Sequence, residues 1–162
     1  MMKTLTTLLI LAASPLAAQG LEYSNDATMQ CLDGASDMAG RTACIGASAR
    51  ACIEQTEGGS SSAAMAGCYE REGKYWDDRL NASYGEAKDF AKTFDADNGG
   101  SDALSKSLVA MQRAWIPFRD KACSFEAAQW GGGTGANSAF TACLMTLTGE
   151  QTLRIESAMQ EK

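Results

Sequence analysis

Six cysteines in a chain that has no histidine limit what this sequence can become more than any other feature. Cys31, Cys44, Cys52, Cys68, Cys123 and Cys143 all follow a leader, MMKTLTTLLILAASPLAA at residues 1–18, with one lysine, an apolar run from Leu8 to Ala13 and then small residues. That layout predicts a secretory signal peptide, cleaved after Ala18 or Gly20, and so a periplasmic or secreted protein. In that oxidising compartment an even set of cysteines is expected to form disulfides. The apolar run is too short to span a bilayer and no later one is longer, so no membrane insertion is expected after cleavage.

The missing histidine removes Ser-His-Asp and Cys-His catalysis and the usual histidine-containing zinc sites. No lysine has a serine three residues before it, and no C-x-x-C spacing occurs, which leaves neither a serine-lysine nor a dithiol exchange motif. Without Lys3 the basic count falls from 14 to 13 against 20 acids, a net charge of 13 − 20 = −7. Such a surface disfavours nucleic acid and favours cationic partners. No cofactor and no metal are expected, and the length suits one domain.

The class read from periodicity is all-α. Residues 26–36 and 40–55 read as two short helices, in an N-terminal cysteine-containing extension over 19–57. A serine-rich loop follows, with Ser60 to Ser62 as candidate N-caps. Met65, Tyr69, Trp76, Leu80, Tyr84, Ala87, Ala91 and Phe94 then recur at helical steps, with Glu70, Glu72, Asp77, Asp78, Lys88 and Lys92 assigned to the solvated face. DADNGGSD, residues 95–102, supplies a turn and a new cap. Leu104, Leu108, Met111, Trp115, Phe118, Ala122 and Phe125 form a second stripe, expected to face the first. Pro117 inside that stripe predicts a kink or break near Arg113. After GGGTGANS, residues 131–138, a last helix is expected over 139–159. The expected architecture is a small disulfide-stapled bundle of two long antiparallel helices with shorter N- and C-terminal helices.

This layout favours three pairings. Cys123 and Cys143 flank the glycine loop, Cys52 and Cys68 flank the serine loop, and Cys31 and Cys44 remain, joined if residues 34–40 turn.

Few side chains are arranged for chemistry. Asp77 and Asp78, with Glu70 and Glu72, are the only candidates for a carboxylate pair, but they crowd one helix where a glycosidase needs two groups across a cleft. Asp95, Asp97, Gly100 and Asp102 imitate the start of a calcium loop, yet Lys106 stands where the closing glutamate belongs. Arg119, one turn from Trp115, is expected near the buried seam and in need of a partner, with Asp77 or Asn81 on the facing helix as candidates. Trp130 beside Gly131, Gly132 and Gly133 is the one candidate partner-binding loop, an aromatic anchor on a mobile, neutral segment.

Three blocks of residues carry a family resemblance. Met65, Cys68 and Tyr69 lead into Asp77, Leu80, Asn81 and Tyr84 as D-x-x-L-N-x-x-Y. Gln112, Arg113, Trp115, Ile116, Arg119, Asp120 and Cys123 follow as Q-R-x-W-I-x-x-R-D-x-x-C, and then Gly132, Gly133, Cys143 and Thr148. In this order they resemble, from Met65 to about Leu153, the lysozyme inhibitor LprI-like family of small secreted helical domains, and the LprI-like domain is expected over residues 58–162. Gln151 departs from it, standing where the family usually has arginine, and the segment with Cys31 and Cys44 looks like an addition. The resemblance implies a non-enzymatic protein that binds and inhibits lysozyme, a cationic partner. It also marks Asp77, Asn81, Tyr84, Gln112, Trp115, Arg119 and Asp120 as residues to follow, here read as a structural polar network. The alternative is a structural or assembly module that binds another envelope protein.

Overall fold

The computed structural model describes residues 20–160, so the leader lies outside the described residues. Six helices are present there and no strand: α1 (Asp26–Gly34), α2 (Met38–Ala43), α3 (Ala47–Gln55), α4 (Ser62–Asp97), α5 (Ala103–Ala128) and α6 (Ala136–Gln160). The segment expected as one helix over 40–55 is two. The first ends at Ala43 with Cys44 as its C-cap, and Gly46, at a φ of +86°, a left-handed conformation that glycine adopts without a Cβ penalty, serves as N-cap of α3.

Ser61 starts α4, its side chain accepting a hydrogen bond from the Ala64 N–H. The helix then runs unbroken for 36 residues. At its far end Asp95 performs the capping expected of the turn itself. Its carboxylate accepts from the N–H groups of Leu104 and Ser105, both at 2.9 Å, and so fastens the start of α5 to the end of α4. Burial opposes the charge on Asp95, but the hydrogen bonds from Ser105 and Leu104 outweigh it and hold its pKa below the ordinary value.

Contacts between α4 and α6 advance in the same direction along both helices. Gly73 lies against Met145, the Thr152 hydroxyl donates to the Trp76 carbonyl, and Arg79 and Ser83 reach Glu156. These two helices are therefore parallel. Helix α5 runs against both, with Gln112 meeting Gln151 and Cys123 bonded to Cys143. Helix α6, with 25 residues against the 26 of α5 and the 36 of α4, packs on α4, α5 and α2.

The core begins with Trp76, fully buried among Ile45, Ala49, Met145 and Leu153, and continues through Leu80, Ala87 and Ile155. Disulfides Cys31–Cys44, Cys52–Cys68 and Cys123–Cys143 join cysteines that are sequence neighbours across a turn, with Cα separations of 5.5, 5.8 and 5.3 Å. Each closes a short loop and contributes about 2–4 kcal/mol.

Two features of α5 differ from expectation. The helix is continuous through Pro117, so there is no break near Arg113. Pro117 and Arg113 are both exposed, so the Arg113 carbonyl that loses its helical partner faces water. The stripe is also rotated: Phe118 and Phe125 are 60% and 69% exposed and Met111 lies at the surface, while Gln112 and Cys123 are buried. The cause is covalent. Cys123 must face α6 to reach Cys143, and Phe125, two residues on, then lies about 200° around the helix.

Candidate functional site

The most densely bonded side chain is one that periodicity had turned outward. Glu72 is fully buried, and its carboxylate accepts four hydrogen bonds: from the Thr28 hydroxyl (2.9 Å), the Gly46 N–H (2.7 Å), the Ala49 N–H (2.7 Å) and the Trp76 indole (3.0 Å). Two of these donors are the free N–H groups at the start of α3, so a side chain of α4 caps another helix. Around it, the Thr28 N–H donates to the Ser48 hydroxyl and the Ser48 N–H to the Thr28 hydroxyl, each at 3.0 Å, which ties α1 to α3. Burial, and then the nearby Glu72 charge, pushes the Tyr23 phenol well above its ordinary pKa. This cluster has no exposed group and no free valence to offer a substrate; it is an internal clamp. The signal was present in the sequence: Cys68, Glu72, Trp76 and Leu80 follow one another at steps of four, along the buried stripe.

A second acid joins three helices. Glu156 on α6 pairs with Arg41 of α2 and Arg79 of α4, both at 2.7 Å, and accepts from the Ser83 hydroxyl. Burial raises its pKa, but the bonds from Arg79, Ser83 and Arg41 prevail and hold it below the usual carboxylate value. The bond to Glu156 in turn raises Arg79 above its ordinary value.

The residues of the expected polar network do not form one cluster. Arg119 bonds neither Asp77 nor Asn81. It pairs with its neighbour Asp120 (2.8 Å) and its guanidinium stacks 5.0 Å from the centre of the Trp115 ring. Asn81 donates to Asp77 within α4 at 3.1 Å. Arg119 and Asp77 do line the same cleft of about 550 Å³, with Phe140 and Thr141 of α6. Tyr84 is half-buried on the core beside Leu80 and Ala87, with the Lys88 ammonium over its ring. Gln112 meets Gln151, whose amide donates to it at 3.0 Å in the buried α5–α6 contact. A neutral amide pair thus stands where the family resemblance leads one to expect an arginine.

Asp77 and Asp78 are exposed and held by partners on their own helix, Asn81 and Lys74. They face no second carboxylate across a cleft. No group of three or more metal-ligating side chains occurs among the described residues.

The loop after α5 places Trp130 at the surface, 55% exposed, with Gly131 and Gly132 at φ +56° and +81° and Gly133 following. The indole rests on Gly135, where a Cβ would fall 2.3 Å from its ring, so only glycine admits this ring position. Trp130, Phe125, Ala122 and Ala139 line one shallow depression of about 340 Å³, and Phe118 continues the aromatic row down α5. The row is an exposed apolar surface of large side chains, of the kind that suits recognition better than turnover.

Together these features define a disulfide-held, all-α domain with a clamped interior and one bare aromatic flank. Residues 52–154 match the family model described as lysozyme inhibitor LprI, and the chain belongs to that family. It is also 29% identical over 160 residues, 96% of each chain, to a Rhodobacter capsulatus protein described as an uncharacterized 17.7 kDa protein in the puhA 5′ region. That likeness runs through α1 and α2, which the family model leaves out. No solved structure matches.

Proposed function

We propose that the protein is a non-enzymatic inhibitor of lysozyme-type muramidases, acting in the periplasm or outside the cell. The family match over the three long helices carries this reading. Three further properties support it. The net charge steers the protein towards cationic partners. The three disulfides suit an oxidising compartment, and no helix among the described residues is long and apolar enough to cross a membrane. Phe125, held on α5, and Trp130, seated on Gly135 in the loop that follows, are the aromatic anchors of the contact, placed in advance so that little ordering entropy is lost on binding. The purified protein slows lysozyme clearing of a cell-wall suspension, and less so as salt rises. Unchanged clearing at large molar excess, over several lysozyme types, would overturn the proposal.

One observation favours a second reading, an assembly module that binds another envelope protein. Helix α5 has Lys106, Arg113, Arg119 and Lys121 against Asp120 and Glu126, so the helix that carries the aromatic flank is net basic in an acidic chain. A stoichiometric acidic partner recovered through this face, with no effect on lysozyme, would establish that reading in place of the first.

A further inference from the structure

The Cys123–Cys143 bond ties α5 to α6 near one end, and the Gln112–Gln151 bond ties them midway. Beyond that pair the helices enclose a groove of about 370 Å³ with the C-terminal half of α4 as its floor. Ala87 and Ala91 keep the floor low, while Leu108 and Met111 on α5 and Ile155 and Met159 on α6 form the walls. Arg154 stands at the lip, exposed, with no carboxylate within 4.0 Å of it among the described residues.

We infer that this groove binds a single-chain fatty acid of about the length of dodecanoate, the alkyl chain lying between α5 and α6 and the carboxylate at Arg154. Three features select that ligand. The walls offer almost no hydrogen-bonding group, Ser107 being the one polar side chain besides Arg154, so the part that enters must be apolar. The volume is near the lower end of small-molecule sites, roughly 300–1,000 Å³, which suits one chain and not a two-chain lipid. The charge at the mouth is a cation that no described carboxylate pairs with, which selects an anionic head over a cationic or neutral one. Methionines on both walls adapt to a flexible chain without a fixed shape.

Calorimetric titration of the whole protein with dodecanoate, below its micelle concentration, tests the assignment, with dodecyltrimethylammonium as the control of equal chain and opposite charge. Saturable binding of one dodecanoate per protein is expected, with the control clearly weaker. Ala158→Trp, at an exposed position on the groove wall, fills the space and abolishes binding while circular dichroism shows the helices intact. Arg154→Glu lowers dodecanoate affinity roughly two- to fivefold, the range of an exposed ion pair, and raises that of the control. This second variant decides the matter if the first does not fold. No saturable binding, equal binding of both heads, or affinity untouched by either variant would overturn it. Lysozyme inhibition is not involved, so the two readings fail independently.

Discussion

Helices α4 and α5 are neighbours in one bundle, yet their outer surfaces are treated in opposite ways. Helices α1–α3 dock on α4 and α6, and none of them packs on α5. Where they dock, the ends of short helices are buried, and a carboxylate is brought inside to satisfy them: Glu72 takes two backbone N–H groups, a hydroxyl and an indole. No buried side-chain nitrogen or oxygen is left without a partner among the described residues. The α5 flank has no such cover among the described residues, and five of their seven large exposed apolar side chains, Met111, Ile116, Phe118, Phe125 and Trp130, belong to α5 or the loop after it. The difference separates two kinds of residue. Those under the short helices hold the fold; those on the uncovered flank are free to meet something else.

If that division is correct, the most damaging single change lies under the cover. Glu72→Ala leaves four donors unpaired and opens a cavity, and is expected to cost about 3–4 kcal/mol in urea denaturation. Glu72→Gln, which points an amide donor at donors, should recover little of it. A loss below about 1 kcal/mol for Glu72→Ala would show that the clamp is dispensable.

Replacing Cys31 and Cys44 together by serine comes next, with an expected loss of about 2–3 kcal/mol. Helices α1 and α2 should then exchange their amide hydrogens faster while α5 does not. Exchange rising equally in α5 would mean that the two flanks are not separate.

A smaller effect concerns pH. Glu156 has a depressed pKa in the folded state, so its contribution is complete above the ordinary glutamate value and is lost as pH falls through the folded one. Glu156→Gln should cost about 1 kcal/mol at neutral pH, since its arginine partners are partly exposed, and the variant should lose less stability than the parent on acidification. Parallel stability curves for the two proteins would rule this out.

Smallest of all in stability are Phe118→Ser and Phe125→Ser, expected within about 0.5 kcal/mol of the parent. A large loss from either would place these rings in the core after all.

The sequence shows the helices and their order because steps of three and four recur over long stretches. It shows less of how the helices are rotated. Met111, Phe118 and Phe125 satisfy helical spacing as well as Leu108 and Trp115 do, so periodicity alone leaves the inner face of α5 free to turn by a third of a circle. Cys123 carries the missing constraint, because a bridge to α6 fixes that rotation. Glu72 escaped for a different reason: charge argues for exposure, and the donors that make its burial favourable come from α1 and α3, 23 to 44 residues away. The aromatic loop at Trp130 was visible as a candidate, whereas the α5–α6 groove depends on how far the helices stand apart, which no spacing reveals.

The central claim is that the uncovered flank, and not the clamped interior, meets a muramidase. It is tested most directly by comparing the parent with the folded double variant Phe125→Ser, Trp130→Ala in the same lysozyme clearing assay. The account predicts that the parent slows clearing and the double variant does not, at equal stability. Equal inhibition by both proteins would contradict it.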